Sequence, residues 1–226
     1  MGRRRAVYLR HDVDIHIPGI ERVAAAEREL GASATYFIPL TLHFNPAYPP
    51  NRDVLRGLVA AGHEIGLHYD MQTYPRELER AWEHLDAQAA VLSEIVDAPV
   101  RSICQHSPWE GREDVFARNG RYVHPHDPDH YGDVAYVSDS CRAWRDESLL
   151  ALLAPDGPER LLLNTHPELW LGPDGQERYD FLETTLRPNA TAQHEAYMPE
   201  KVRAAWEQHP APRLHDAREA AEAASK

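Results

Sequence analysis

The chain has 226 residues, 42% of them apolar and 27% charged, so it can form one large α/β domain or two small ones. Its net charge of -12 argues against a nucleic-acid partner, because no basic stripe is present to displace counterions from phosphates. Two cysteines without metal-site spacing, no signal-peptide pattern and no run of about 18 apolar residues predict a cytoplasmic protein without a membrane segment.

Predicted strands and helices alternate along most of the chain. Alternation of this kind forms right-handed βαβ units, and it predicts a parallel sheet or barrel in one domain. Apolar runs rich in β-formers predict strands at 7–14, 34–40, 63–70, 100–104, 134–137 and 160–164. Helical spacing of apolar residues predicts helices at 20–30, 53–61, 75–96, 114–118, 147–153 and 197–208, with a helical or frayed end from 217. The segment 120–132 is predicted to be an irregular loop.

Five of the predicted strands end in ionisable side chains. In parallel α/β folds the carboxyl ends of the strands meet on one face, where active sites form. Two neighbouring acids repel each other unless a cation or a proton lies between them, so the first strand end points to a metal. The structural alternative is a solvated strand end that caps the next helix. The strand-end residues are Asp12, Asp14, His68, Asp70, His106, Asp139 and His166.

Aspartate and neutral histidine are the expected ligands of Zn²⁺ or a similar divalent ion, with one position left open for water. Such a water has a pKa of about 7 and becomes a nucleophile at neutral pH. A nearby carboxylate can accept its proton, and a histidine on the opposite side can protonate the leaving group. The strand-end residues therefore predict hydrolysis of an amide or an ester.

Five stretches also resemble, in order, the motifs of the polysaccharide deacetylases with NodB homology, the carbohydrate esterase family 4 type. The resemblance covers residues 7–170. It is more specific to one branch of the family, which has the motifs RHDVD and GHEIGLHYD. It implies a distorted (β/α) barrel, and we expect a single domain 1–226. Residues 171–226, which the resemblance does not cover, are predicted to form a C-terminal helical extension. The matching stretches are Arg10–Asp14, Gly62–His68, Gln105–Pro108, Tyr136–Ser140 and Leu161–His166.

By this resemblance the chain is a metal-dependent hydrolase that removes an N-acyl group, with N-acetyl preferred, from an amino sugar or a sugar-containing precursor. Asp12 would be the general base, a metal-bound water the nucleophile and His166 the general acid. Asp14 and His68 would bind the ion, with zinc expected and cobalt, nickel or manganese as alternatives. The implied partner is a small molecule or saccharide, and the oligomeric state is left open.

One position departs from the family motif. Gln72 stands where the second motif has another metal-binding histidine, and a carboxamide is a poor ligand for Zn²⁺. We expect His106 as the third ligand, because it replaces the arginine of the third motif and keeps a nitrogen ligand available. Asp70 is the second choice, since side chains two apart in a strand face the same way. His11 and His16 are further possibilities, and loss of the metal is another.

Three residues are predicted to contact the substrate. Asp70 and Asp139 follow strands, and Asp139 is expected either to orient a neighbour or to bind the substrate. Trp109, with Trp144 and Trp170, could form a platform for a sugar ring, although aromatic residues in a chain of this size are mostly in the core.

Other interpretations remain open at this stage. The substrate could carry an N-acyl, N-formyl or ureido group on a non-sugar metabolite, with the loop 120–132 setting the choice. The chain could also be a metal-free barrel that binds a glycan or metabolite without converting it, and metal content separates this possibility from the hydrolases. The histidines at 124, 126 and 130 form a cluster in a proline-rich loop, which we expect to be solvated rather than a second metal site.

Overall fold

The computed structural model describes residues 5–106, 114–140, 149–171 and 183–184. The chain divides into two compact units, Met1–Phe181 and Leu182–Lys226. All the described strands belong to the first unit. Most of the second unit lies outside the described residues, so the single domain with a helical extension stays a prediction.

The described residues of the first unit form one parallel sheet of six strands, which confirms the predicted α/β class. The strands are β1 (Ala6–Asp12), β2 (Ala34–Ile38), β3 (Glu64–Tyr69), β4 (Ile103–Gln105), β5 (Ala135–Ser138) and β6 (Arg160–Thr165). Their order is β4-β3-β2-β1-β6-β5, so that β1 lies inside the sheet between β2 and β6. His11 of β1 pairs with Tyr36 and with Thr165, and the carboxyl ends of the central strands therefore lie level with each other.

Helices connect the strands as the sequence predicts, with some shifted boundaries. They are α1 (Ile20–Glu29), α2 (Pro49–Ala60), α3 (Leu78–Val96), α4 (Pro128–Tyr131) and α5 (Leu149–Leu153), with 3₁₀ helices at Met71–Thr73 and Pro167–Trp170. Helix α2 begins four residues before its predicted start, because prolines at its first positions suit a helix N-terminus. None of the described helices combines the length and apolar character needed to cross a membrane.

Two sequence-based assignments are wrong. The predicted helix at 114–118 is a turn, because the carboxylate of Asp114 accepts hydrogen bonds from the Tyr69 hydroxyl and the Phe116 amide instead of continuing a helix. The predicted irregular loop at 120–132 contains α4, and its Val123 forms a bridge with Ser102 next to β4. The predicted helices at 197–208 and from 217 lie outside the described residues.

Alternation along the strands decides which side chains point into the site. In β3, Ile65, Leu67 and Tyr69 are buried in the core formed with the helices. Since successive side chains of a strand point to opposite faces, His68 must face the other side of the sheet. The same alternation in β1 places Arg10 and Asp12 on one face and turns the intervening histidine towards the helices.

Gly66 is required where β3 passes β2. A Cβ atom at this position would lie 2.6 Å from Cε1 of Phe37 and 3.0 Å from the carbonyl oxygen of Ser102. We expect Gly66→Ala to lower the free energy of unfolding by about 1–3 kcal/mol, since a packed interior cannot absorb the added methyl group. Denaturant unfolding measures the change. Gly57→Ala is the control, because nothing lies within 4 Å of its Cβ position in α2, and an equal loss in both variants would contradict this account.

Candidate metal and acid–base site

Three strand ends bring one carboxylate and two imidazoles together. Asp14 lies two residues after β1, His68 is in β3 and His106 directly follows β4. Oδ1 of Asp14 is 3.3 Å from Nε2 of His68 and 3.2 Å from Nδ1 of His106. The two imidazole nitrogens are 3.3 Å apart. The three atoms thus form a nearly equilateral triangle.

This triangle fits a divalent cation. Zinc bound at about 2.0–2.1 Å places neighbouring ligand atoms of a tetrahedron about 3.3–3.4 Å apart, which is close to the three observed separations. Oδ1 of Asp14 is buried and accepts no hydrogen bond within the described part of the chain, as expected of an atom directed at a cation. Among the described residues, this is the one group of three such side chains with ligand atoms close enough to share an ion.

Contacts behind the triangle orient its two histidines. Nδ1 of His68 lies 3.0 Å from the carbonyl oxygen of Cys104, so it carries the ring proton and donates it there. The Nε2 lone pair of His68 is then free to face Asp14. The backbone N–H of His106 donates to the carbonyl oxygen of Tyr69 at 2.8 Å, which holds this residue beside the end of β3.

Asp12 lies beside the triangle and is held by Arg10. Nε and Nη2 of Arg10 donate to the two carboxylate oxygens of Asp12 at 2.8 and 2.7 Å, and Nδ2 of Asn164 donates to Oδ2 at 3.0 Å. Burial alone would raise the pKa of Asp12, but the charge of Arg10 and its hydrogen bonds lower it. Asp12 is therefore an anion, and its Oδ2 lies 3.9 Å from Nε2 of His68.

His166 lies on another side of the triangle and is held by Asp139. Nδ1 of His166 is 2.7 Å from Oδ1 of Asp139, and Nε2 is 3.6 Å from Oδ2 of Asp14. Burial lowers the pKa of His166, but the hydrogen bond with Asp139 and the charges of Asp12 and Asp14 outweigh it and raise the pKa to about 9. These contacts favour the protonated imidazole, which can donate a proton.

The predicted substrate contacts have different outcomes. Asp139 is fully buried, and its oxygens accept hydrogen bonds from the His166 backbone and ring and from the Trp170 indole. Burial argues against a substrate contact for Asp139 and favours the alternative, in which it orients His166. Asp70 accepts a hydrogen bond from the backbone of Gln72 at 2.9 Å, and its contact with substrate stays a prediction. Trp109 lies outside the described residues.

Of the candidates for the third ligand, the structure places His106 with Asp14 and His68. Gln72 is exposed on the 3₁₀ helix after β3, and Asp70 caps that helix. Both ring nitrogens of His11 contact groups on the opposite face of the sheet. His16 is buried but does not belong to the cluster. The ligand assignments themselves remain predictions.

Glu168 is a site residue that was not predicted from the sequence. This residue is fully buried, and its Oε1 accepts hydrogen bonds from the backbone N–H groups of Asp14 at 2.7 Å and Ile15 at 3.1 Å. Burial and the neighbouring charge of Asp14 raise the pKa of Glu168 to about 8. The available signal was a glutamate two residues after the strand-end histidine His166, between Pro167 and Leu169.

The histidine cluster of the 120–132 segment is not uniformly solvated. His124 is buried, with Nε2 at 3.0 Å from Oδ2 of Asp114 and 3.1 Å from the hydroxyl of Tyr69. His130 is exposed and contacts Asp127 at 2.8 Å. The expectation of a solvated cluster is therefore wrong for His124, which fastens this segment to the end of β3.

Comparisons with known proteins concern the fold. No known family model and no curated protein matches the sequence. Peptidoglycan deacetylase PdaC from Bacillus subtilis has a TM-score of 0.51 at 14% identity, covering 91% of this chain and 99% of that one. The Xyl-CE4 domain of a xylanase from the hindgut metagenome of Trinervitermes trinervoides has a TM-score of 0.49 at 12% identity, covering 86% and 85%.

A carbohydrate esterase family 4 pseudoenzyme from Bacillus anthracis has a TM-score of 0.46 at 16% identity, and the match covers 85% of this chain and 63% of that one. This chain thus spans less than two thirds of the pseudoenzyme. At such identities the likeness concerns the fold, and the chain has the polysaccharide-deacetylase fold, the distorted (β/α) barrel that its motifs predict.

Proposed function

We propose that the protein is a metal-dependent hydrolase that removes an acyl group from the nitrogen of an acylated amino sugar. The observation that carries this proposal is the cation-sized triangle of Asp14, His68 and His106, flanked by the buried carboxylate of Asp12 and the imidazole of His166. A solvated strand end would not hold three potential ligand atoms within 3.3 Å of one another.

Asp14, His68 and His106 would hold the ion, which supplies polarisation of the acyl carbonyl and a nucleophilic water at neutral pH. Asp12 would accept the proton of the attacking water while the water oxygen bonds to the carbonyl carbon. Arg10 keeps Asp12 ionised and fixes the direction of its oxygens, so that a proton acceptor is in place before the substrate arrives.

His166 would complete the hydrolysis. As the carbon–nitrogen bond breaks, Nε2 of His166 donates its proton to the departing amine nitrogen. Nδ1 of His166 cannot donate this proton, because its own proton is shared with Asp139 at 2.7 Å. Water is thereby added across the bond, giving a carboxylic acid and a free amine. The buried charge of Asp139 favours the protonated imidazole that the step requires.

Two features support an acylated sugar as substrate. The family motifs imply an amino sugar, and the fold is shared with a protein named as a peptidoglycan deacetylase. A small N-acetylated amino sugar, or a larger saccharide that contains one, is therefore the substrate class we propose.

Acetate release tests the proposal. We expect zinc-loaded protein to release acetate from N-acetylglucosamine or its oligomers, and His68→Ala to abolish this activity, because a ligand to the cation is lost. N-acetylated amino acids are the comparison substrates. Release of acetate from the N-acetylated amino acids alone would indicate that the substrate is a non-sugar metabolite. No release from either class by metal-loaded protein would overturn the hydrolase proposal and leave a binding barrel.

A further inference from the structure

We propose that Glu168 is a positioning residue that fixes the Asp14 peptide, so that the Asp14 carboxylate faces the two imidazoles. This inference rests on the proposed metal site and adds to it a residue that holds no ligand atom of the triangle. Glu168 lies in the 3₁₀ helix Pro167–Trp170, directly after β6, and is fully buried.

The backbone after β1 needs a partner that the sheet does not supply. Strand β6 pairs with β1 up to the His11–Thr165 pair, and it ends there because Pro167 follows. The amides of Asp14 and Ile15, which follow β1 in a partly buried segment, therefore need acceptors from outside β6. Val13 donates to the carbonyl oxygen of Phe37 in β2 at 3.1 Å.

Glu168 takes the place of the missing strand on the β6 side. Its Oε1 accepts both the Asp14 amide at 2.7 Å and the Ile15 amide at 3.1 Å. The backbone of Asp14 is thus held on one side through the preceding residue and β2, and on the other side by this carboxylate. The Glu168 side chain accepts the hydrogen bonds that carbonyl oxygens of a neighbouring strand would otherwise accept. The backbone from which the Asp14 carboxylate extends is therefore fixed.

Burial of the Glu168 side chain is costly unless its position matters. Oε2 of Glu168 is buried and has no hydrogen-bond partner in the described ranges, and no Lys or Arg of those ranges forms an ion pair with it. A buried polar atom without a hydrogen-bond partner lowers stability, so Glu168 is expected at this position only if its hydrogen bonds to the two amides matter.

The same short helix also connects to the acid side of the site. The backbone N–H of Leu169 donates to the carbonyl oxygen of His166 at 2.9 Å, and the indole of Trp170 donates to Asp139. Glu168 therefore joins the segment that carries a proposed ligand to the segment that carries the proposed acid. A shift of this helix would therefore change the positions of both segments.

Zinc affinity of the full chain, measured by titration calorimetry, tests the inference. We expect Glu168→Met, which fills the volume but accepts no hydrogen bond, to weaken zinc binding by about 10–100-fold, the range typical of residues that support metal ligands. Glu168→Gln should bind zinc like the wild type, because its amide oxygen can still accept both backbone N–H groups. Such a rescue is not expected if the carboxylate charge itself is what matters.

Glu64→Ala is the matched control. The oxygens of Glu64 accept hydrogen bonds from Thr35 at 2.9 Å and Ser102 at 2.7 Å, four residues before His68 in the same strand. This variant should lose stability in thermal unfolding without a change in zinc affinity. An equal loss of affinity in Glu64→Ala and Glu168→Met would show general destabilisation and overturn the positioning role.

Other outcomes separate this inference from the proposed function. If the wild type binds one zinc and Glu168→Met binds it equally well, the positioning role fails and the metal site stands. If the wild type binds no zinc, the proposed function fails. Hydrogen exchange of the wild-type chain needs no variant to fold: the amides of Asp14 and Ile15 should exchange slowly, and exchange as fast as in exposed loops would overturn the inference.

Discussion

Replacement of His166 by asparagine is expected to lower kcat for acetate release by about 10²–10⁴-fold, the usual contribution of a positioned proton donor. Zinc affinity should change little, because Nε2 of His166 lies 3.6 Å from Oδ2 of Asp14, away from the oxygen that faces the two imidazoles. Steady-state kinetics and calorimetry on the same preparations measure the two quantities separately.

His130→Asn is the matched control for this replacement. It makes the same chemical change at an exposed histidine whose contact is Asp127 rather than a residue of the proposed site. We expect wild-type kinetics from it. A His166→Asn enzyme with an unchanged kcat would contradict the role of His166 as the acid, and a variant that lost its zinc would instead place His166 among the ligands.

His106→Ala is expected to abolish stoichiometric zinc retention and, with it, acetate release. Two of the three close separations that define the triangle involve His106, at 3.2 Å from Asp14 and 3.3 Å from His68, and the remaining pair leaves a cation half-coordinated. Metal content after dialysis measures the effect.

Gln72→Ala is the control for the ligand set. Gln72 occupies the position where the family motif has a histidine, yet its side chain is exposed on the 3₁₀ helix Met71–Thr73. We expect Gln72→Ala to keep its zinc. If Gln72→Ala lost the ion and His106→Ala kept it, the third ligand would have to be reassigned to the segment after β3.

Much of the framework of the site could be predicted because it depends on local pattern. Apolar runs that end in charged residues marked the strands, and parallel strands necessarily place those ends on one face. A period of two also determines the facing of β1: once Asp12 points towards the site, His11 must point away from it. The same alternation excludes His11 from the ligands on the site face.

The contacts between distant segments could not be predicted in this way. His124 is buried because Tyr69 and Asp114 surround it, and a proline-rich stretch gives no sign of such partners. Glu168 accepts hydrogen bonds from amides about 150 residues earlier in the chain, and these bonds can form only after β6 has paired with β1. Asp139 could be recognised as a strand-end acid, but its hydrogen bonds with His166 and Trp170 depend on tertiary packing.

Anomalous diffraction at the zinc edge, from crystals of the full chain grown with Zn²⁺, is the most direct test of the proposed site. The account predicts one strong peak bonded to Oδ1 of Asp14, Nε2 of His68 and Nδ1 of His106, at about 2.0–2.1 Å from each. A peak bonded to other side chains, or no peak when zinc is in excess, would contradict it.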